Sequence, residues 1–309
     1  MRYNSFGRYV RKRFGRAVHK VNIDAGFTCP NRDGTLGVSG CIYCNNDSFR
    51  PSSCRPALSV AEQVRAGAAW LRKRFGAESF LAYFQPYTNT YAPVERLRAL
   101  YEEALAEPSV IGLAIGTRPD CIDEEKLDML AELGERHFVL LEYGVQSIYQ
   151  KSLDFIRRGH DYGVYLRAVE ETRRRGLEAG AHIIVGFPTE TREEMLEMAP
   201  ELSGTGIGFL KVHQLQVIKD TPLAELHARE PFHIFDYEEY VDFAARFLER
   251  LSPDIVVQRL FATAPEGILV APRWDRSKHQ LLRDIERKLR ESDSFQGRLY
   301  RKTAVRAAG

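Results

Sequence analysis

The 309-residue sequence contains no long apolar run and few cysteines. No apolar stretch approaches the roughly 20 residues that a membrane-spanning helix requires, and the basic segment from Met1 to Lys20 lacks the apolar part of a secretory signal. We therefore expect a cytoplasmic protein with no membrane partner. Five cysteines, three of them within sixteen positions, are not the pattern of a disulfide framework. A hydrophobic content of 44% excludes a largely disordered chain.

The formal net charge of +2 is unevenly distributed along the chain. Residues 1–20 carry seven basic and no acidic side chains, and residues 273–309 carry eleven basic and five acidic ones, so the stretch between has a net charge of −11. Basic ends suggest an anionic macromolecular partner, although a solvated charged face is the commoner meaning of such runs. Aromatic rings alternate with the basic groups of residues 1–20, as expected either for an RNA-binding arm or for a strap whose rings pack on the protein.

Short apolar runs alternate with amphipathic stretches, which is typical of a parallel sheet with helical crossovers. Six strands are predicted at Val21–Phe27, Phe80–Gln85, Ile111–Thr117, Phe138–Val145, Ala181–Phe187 and Ile207–Leu215. Helices are predicted from near Ser59, Ala92, Asp123, Ser147, Asp161 and Thr191, followed by a helix at Asp236–Leu251, an apolar run at Asp254–Leu260 and a charged helix at Arg276–Arg290. The pattern allows an open doubly wound sheet or a barrel-like closure that falls short of eight units.

Three clustered cysteines follow the first predicted strand, where a bound group would face the carboxyl ends of the other strands. The cluster consists of Cys29 followed by the Cys-x-x-Cys pair Cys41 and Cys44. Such a pair by itself occurs in zinc sites, redox pairs and iron–sulfur sites. Zinc would need a fourth ligand such as Cys54, in a spacing that lacks the second close pair of structural zinc sites. A thioredoxin-like pair would leave Cys29 unexplained. Three thiolates suit a [4Fe–4S] cluster with one iron open to a ligand.

Four motifs carry a family resemblance: residues 26–34 (GFTCPNRDG), 83–91 (YFQPYTNTY), 115–120 (IGTRPD) and 158–160 (RGH). With the three cysteines, they resemble the YhcC/YtqA-like family of radical S-adenosylmethionine (SAM) enzymes. The core of this family is similar to the radical SAM part of the Elongator catalytic subunit. The resemblance runs from about Tyr3 to Gln296. Residues 258–274 follow the family pattern only in part, since a His is expected before Arg259 and a Gly-Asp step in the middle.

The resemblance implies a partial (β/α)6 TIM-like barrel, with an N-terminal strap and a C-terminal helical extension. We expect a basic segment over residues 1–20, the barrel core over residues 21–235 and the extension over residues 236–309. It also implies a [4Fe–4S] cluster and SAM as cofactors. In this superfamily the amino and carboxylate groups of SAM bind the open iron, and reductive cleavage of SAM gives a 5′-deoxyadenosyl radical that abstracts a hydrogen from the substrate.

The resemblance also implies roles for individual residues. Cys29, Cys41 and Cys44 hold the cluster, and Tyr43 packs toward the adenine of SAM or is buried as an ordinary loop residue. The rest of the SAM surface consists of Gln85, Thr117, Arg118, Gln146 and the turn Gly186, Phe187 and Pro188.

Three positions allow alternative roles. The planar fork of Arg118 suits the SAM carboxylate, but a structural ion pair is the alternative. Glu142 is a lone carboxylate on an apolar strand, which makes it a candidate for a ribose hydroxyl of SAM. His213, followed by Gln214, lies over the centre by strand order, either as a contact in the site or as a satisfied core histidine.

Cys54 and Cys121 are most simply spectators, with a substrate thiol role for Cys54 as the alternative. The Elongator relation and the basic ends favour tRNA as substrate, with modification at the wobble uridine. We also expect a reducing partner such as flavodoxin or ferredoxin. A small molecule or a protein is the second substrate class. A zinc-stabilised RNA-binding module is the alternative outside the enzymes.

Overall fold

The computed structural model describes residues 1–45, 58–265 and 267–301. Helices α1 to α10 span Phe6–Phe14, Val60–Phe75, Val94–Leu105, Glu124–Gly134, Gln150–Phe155, Tyr162–Arg174, Arg192–Gly204, Pro222–Arg229, Tyr237–Arg250 and Lys278–Glu291. Strands β1 to β9 span Val18–Ile23, Ser79–Phe84, Val110–Thr117, Phe138–Gln146, Glu178–Val185, Phe209–Gln214, Val217–Ile218, Val256–Arg259 and Leu269–Ala271. Within the described ranges, no helix is long and apolar enough to cross a membrane.

Seven strands form one parallel sheet in the order β1-β2-β3-β4-β5-β6-β8, while β7 and β9 make a separate antiparallel pair. The sheet curls into a half-barrel whose two edge strands approach each other, since Nζ of Lys20 in β1 donates to Oε1 of Gln258 in β8 over 2.5 Å. The predicted half-barrel is confirmed, with seven strands instead of six. The additional strand comes from the apolar run Asp254–Leu260, which pairs with β6.

The first strand lies earlier in the chain than predicted, at Val18–Ile23 instead of Val21–Phe27. The extended chain ends at Asp24, whose carboxylate accepts a hydrogen bond of 3.0 Å from the backbone N–H of Gly26. This local turn and the positive φ of +71° at Gly26 are incompatible with a continuing strand. At the other end, His19 and Lys20 interrupt the apolar pattern and conceal the true start of the strand in the sequence.

Alternate residues of each strand face opposite sides of the curled sheet. Along β4, Val139, Leu141 and Tyr143 pack in the main core between the sheet and its helices. Phe138 and Leu140 belong to a different cluster, inside the half-barrel. The same alternation places Glu142 and Gly144 on the inner face, and Gln146 follows at the carboxyl end of the strand.

Helix α1 closes the amino-terminal end of the half-barrel. Rings of Tyr9 and Phe14 pack against Phe209 and Phe138, the first residues of β6 and β4, with ring centroids 5.0 and 5.7 Å apart. The rings of this basic segment are therefore engaged in packing, as the strap alternative expects, and are not free to stack on bases. The basic side chains of residues 11–13 are exposed beside them.

Candidate functional site

A cavity of about 770 Å³ opens at the carboxyl ends of the strands. Its volume lies in the range of small-molecule and cofactor sites. The cysteine loop that follows β1 forms one part of its wall, and the ends of β2, β3, β4, β5, β6 and β8 form the rest. The predicted site residues that line it are Cys29, Cys41, Tyr43, Cys44, Gln85, Thr117, Arg118, Glu142, Gln146 and His213.

The cysteine loop brings its three thiols to the cavity wall as free cysteines. The Cys41 sulfur is buried and lies 3.6 Å from Nδ2 of Asn31 and 3.7 Å from Nη1 of Arg158, both N–H donors. Burial, and secondly the neighbouring Cys41, raises the pKa of the Cys44 thiol to about 11. These two donors fix the position of the Cys41 sulfur at the cavity wall.

The three thiols are not arranged as the ligands of a single metal ion. In the described part of the chain, no group of three or more His, Cys, Asp or Glu side chains is close enough to hold one metal ion. The cysteines of a [4Fe–4S] cluster bind different irons, so they are spaced more widely than ligands of one ion.

Tyr43 lies at the cavity wall, whereas the turn predicted beside it lies behind that wall. The Tyr43 ring packs against Phe187, with centroids 6.3 Å apart, in an apolar cluster that also contains Ile42. Gly186, Phe187 and Pro188 do not themselves line the cavity among the described residues. The structure therefore brings this turn to Tyr43, and gives it a supporting position.

Strand ends place three predicted polar side chains at the cavity. Nε2 of Gln85 donates to Oδ1 of Asn22 over 2.9 Å, and the hydroxyls of Thr117 and Thr90 lie 2.6 Å apart. Gln146 has a positive φ of +72° where the pairing of β4 with β5 shifts register. A bulge of this kind re-aims a side chain at a strand end, and such bulges are frequent beside functional sites.

Arg118 lines the cavity and also makes the ion pair that was its alternative role. Its Nε and Nη2 donate to both carboxylate oxygens of Asp120 over 2.8 and 2.7 Å. Burial opposes the charge of Asp120, but the bonds from Arg118 hold the pKa of this carboxyl below its usual value. Nη1 of Arg118 is buried with no hydrogen-bond partner in the described part of the chain. One edge of the guanidinium is therefore fixed, and the remaining donor is unused.

Glu142 lies in the floor of the cavity, bound between two lysines that the sequence analysis did not assign to the site. Its two oxygens accept hydrogen bonds of 2.7 Å from Lys20 and 2.5 Å from Lys211, and Nε2 of His182 lies 3.3 Å away. Burial alone would raise the pKa of Glu142, but the two ammonium groups hold it well below its usual range. Lys211 carried a signal in the sequence, because it interrupts an otherwise apolar strand.

His213 and Gln214 both line the cavity, and Gln214 is also bonded to the neighbouring chain. Nε2 of Gln214 donates to the carbonyl of Ala262, and Oε1 of Gln214 accepts from the amide of the same residue, over 2.9 and 2.7 Å. Cys121 is buried outside the cavity lining, and its spectator role stays a prediction. Cys54 lies outside the described residues.

Arg158 is a site residue to which the sequence analysis gave no role. Its Nη2 donates to the carbonyl of Gly144, and its Nη1 approaches the Cys41 sulfur. A Cβ at Gly144 would lie 3.1 Å from Nη2 of Arg158, so a glycine allows this close approach. The RGH motif that contains Arg158 was the available signal.

Comparison with known families gives two matches to this chain. The model of the radical SAM superfamily matches residues 28–202, and that of the radical SAM C-terminal domain matches residues 207–291. The protein YhcC of Escherichia coli (strain K12) is 36% identical over 289 residues, which cover 93% of this chain and 92% of YhcC. The protein YtqA of Bacillus subtilis (strain 168) is 32% identical over 307 residues, which cover 99% of this chain and 95% of YtqA.

Two further similarities have lower sequence identity. The tRNA uridine(34) acetyltransferase of Methanocaldococcus jannaschii is 26% identical over 168 residues, which cover 53% of this chain and 30% of that protein. The solved structure of archaeal Methanocaldococcus infernus Elp3 has a TM-score of 0.70 at 20% identity, and the match covers 90% of this chain and 64% of that one. At this identity the structural match establishes a common fold.

Proposed function

We propose a function from the premise that this chain belongs to the radical SAM superfamily, and within it to the family of the YhcC and YtqA proteins. Enzymes of this superfamily use a [4Fe–4S] cluster and SAM. The family, the enzyme class and both cofactors predicted from the sequence are thereby confirmed. The residues that bind the cofactors, and the substrate, are the subject of the proposal.

Cys29, Cys41 and Cys44 are the proposed cluster ligands. The observation that carries this assignment is that one loop presents all three free thiols to one cavity at the carboxyl ends of the strands. When bound, the cluster supplies the electron that cleaves SAM to methionine and a 5′-deoxyadenosyl radical. Asn31 and Arg158 hold the Cys41 sulfur in position through N–H donors. A flavodoxin or ferredoxin is the proposed source of electrons.

SAM is proposed to lie along the strand ends, with Tyr43, Gln85, Thr117, Gln146 and Arg118 around it. The unused Nη1 of Arg118 is a charged donor that its bonds to Asp120 hold in place. A donor fixed in this way binds a carboxylate without losing further side-chain freedom.

The proposed substrate is tRNA, with modification of the wobble uridine. The partial match to a tRNA uridine(34) acetyltransferase supports this substrate class, since that protein is named for the same nucleotide. The exposed basic side chains of α1 are compatible with RNA, but they lie at the end of the half-barrel opposite the cavity. A small molecule or a protein substrate is the alternative.

The cluster assignment is tested by anaerobic reconstitution of the wild-type protein and of Cys41→Ala. We expect about four irons and SAM-dependent 5′-deoxyadenosine in the wild type, and neither in the variant. Cys121→Ala is the matched control, because this buried cysteine lies outside the cavity lining. A full cluster and 5′-deoxyadenosine formation in Cys41→Ala would contradict the assignment.

The substrate is tested by comparing tRNA nucleosides from cells with and without the gene, by liquid chromatography and mass spectrometry. We expect a difference confined to a modified wobble uridine, restored by the wild-type gene and not by the Cys41→Ala gene. Identical nucleoside profiles would leave the radical SAM chemistry intact and refute tRNA as the substrate.

A further inference from the structure

Arg259, at the end of β8, is a charged residue of the cavity that neither the cluster nor the SAM contacts use. It lines the cavity, and its side chain is exposed there. Arg118 is paired with Asp120, Arg32 donates to the carbonyl of Cys44, and Arg158 donates to the carbonyl of Gly144. The side chain of Arg259, in contrast, makes no ion pair or hydrogen bond with any residue that the structure describes. None of the residues that the structure describes therefore neutralises the charge of Arg259.

Two unused polar groups lie on β8, which contains Arg259, and on β6, which pairs with β8. Oε1 of Gln258 accepts from Lys20, which identifies Nε2 as the free amide group, and this nitrogen is buried with no partner among the described residues. Nε2 of His213 is likewise buried and without a partner in that part of the chain. Buried polar groups are normally hydrogen-bonded, so unsatisfied ones call for an explanation such as a ligand. Both can donate to an acceptor oxygen.

A register shift brings these groups to the same side of the sheet. The pairing of β6 with β8 runs from Leu210–Val257 directly to Lys211–Arg259, so Gln258 is an extra residue in β8. Regular alternation would place Gln258 and Arg259 on opposite faces. With the bulge, Gln258 contacts Lys20 inside the half-barrel and Arg259 lines the cavity. Bulges re-aim side chains in this way beside functional sites.

The surrounding charges favour an anion. Glu142 is the one carboxylate among the described residues that line the cavity, and both of its oxygens are bound by lysines. With Lys20 and Lys211 beneath it and Arg259 beside it, this part of the cavity carries more positive than negative charge. The excess is local, because residues 21–272 as a whole are acidic.

We infer that Arg259, with Gln258 and His213, forms a subsite for an anionic group of the substrate, a carboxylate or a phosphate. The inference rests on the proposed function, in which Arg118 binds the carboxylate of SAM, so that this carboxylate does not occupy the place beside Arg259. A planar guanidinium pairs with either anion through two parallel N–H bonds. The subsite thus orients the substrate from β6 and β8, which lie at the other end of the strand order from the strand that precedes the cysteine loop.

The test uses the reconstituted enzyme with saturating SAM and bulk tRNA from cells that lack the gene. Formation of 5′-deoxyadenosine is measured against tRNA concentration for the wild type, Arg259→Gln and Arg259→Lys. We expect Arg259→Gln to raise the KM for tRNA roughly 10- to 100-fold, the usual effect of losing a charge-assisted bond. The KM of Arg259→Lys should lie between those of the wild type and Arg259→Gln, since lysine keeps the charge but lacks the planar pair of N–H donors. Arg290→Gln, on the exposed face of α10, is the control and should match the wild type.

Calorimetric titration of the same proteins with inorganic phosphate and with acetate tests the subsite without tRNA. We expect the wild type and Arg290→Gln to bind one of these anions and Arg259→Gln to lose that binding; the tighter anion identifies the substrate group. If tRNA does not stimulate the wild type, the proposed substrate fails, while loss of anion binding in Arg259→Gln still supports the subsite. Unchanged anion binding and unchanged KM in Arg259→Gln would overturn it.

Discussion

The buried charge network in the cavity floor gives the most specific prediction for stability. Glu142 lies between Lys20 and Lys211, with side-chain exposures of 0%, 17% and 4%. Glu142→Gln leaves two buried ammonium groups facing each other with no carboxylate. Lys211→Met removes one cation and leaves Glu142 paired with Lys20, so the two substitutions are not equivalent.

The expected magnitudes follow from this difference. Removing one partner of a buried ion pair costs about 3–5 kcal/mol of unfolding free energy when a charge is left unpaired, so we assign this range to Glu142→Gln. Lys211→Met loses about 1.5–3 kcal/mol, the value of a hydrogen bond to a charged group. The double variant removes Lys211, one of the two lysines that Glu142→Gln leaves unpaired. Its loss of unfolding free energy should therefore be at least about 1.5 kcal/mol smaller than the sum of the losses in the two single variants.

Denaturant unfolding of the wild type, the two single variants and the double variant measures these differences in unfolding free energy. It is followed by circular dichroism under reversible conditions. Lys151→Met is the matched control, because its ion pair with Glu194 is largely exposed and should contribute less than about 1 kcal/mol. Glu142 and its lysines are not a coupled network if Glu142→Gln lowers the unfolding free energy no more than Lys211→Met does. The same holds if the loss in the double variant equals the sum of the two single losses within about 0.5 kcal/mol.

Three further predictions concern the pH, the ligand and the salt dependence of the protein. Burial raises the pKa of Glu190 to about 7, so its ionisation opposes folding at pH values above the unfolded pKa of 4.5 and does so fully above about 7. Glu190→Gln should therefore raise the unfolding free energy by roughly 3 kcal/mol at pH 8 and leave it unchanged near pH 4. An equal increase in unfolding free energy at both pH values would contradict this. Arg118→Lys should weaken SAM binding in calorimetry about ten- to hundred-fold, and unchanged affinity would make Arg118 purely structural. Replacing the three basic side chains of residues 11–13 with Gln should flatten the slope of log tRNA affinity against log salt by about two, and an unaltered slope would make α1 a strap alone.

Features with a local cause were predictable from the sequence. The βα alternation depends on residues a few positions apart, and it indicated the parallel half-barrel. The spacing of Cys29, Cys41 and Cys44 was likewise visible, and with the motifs around it indicated the family and its cofactors. The ion pair of Arg118 with Asp120 was also within reach, since the partners are two residues apart.

The contacts that define the cavity floor were decided only by the tertiary structure. Lys20 and Glu142 are separated by 122 positions, and Lys211 and Glu142 by 69, so no local pattern links them. Glu142 alone was noticed, as a lone carboxylate on an apolar strand, whereas its partners depend on which strands the curled sheet places side by side. The same holds for Arg259, since a one-residue bulge in a four-residue strand determines which face it occupies. Local periodicity determines the strands, but the closure of the sheet determines which charges meet inside it.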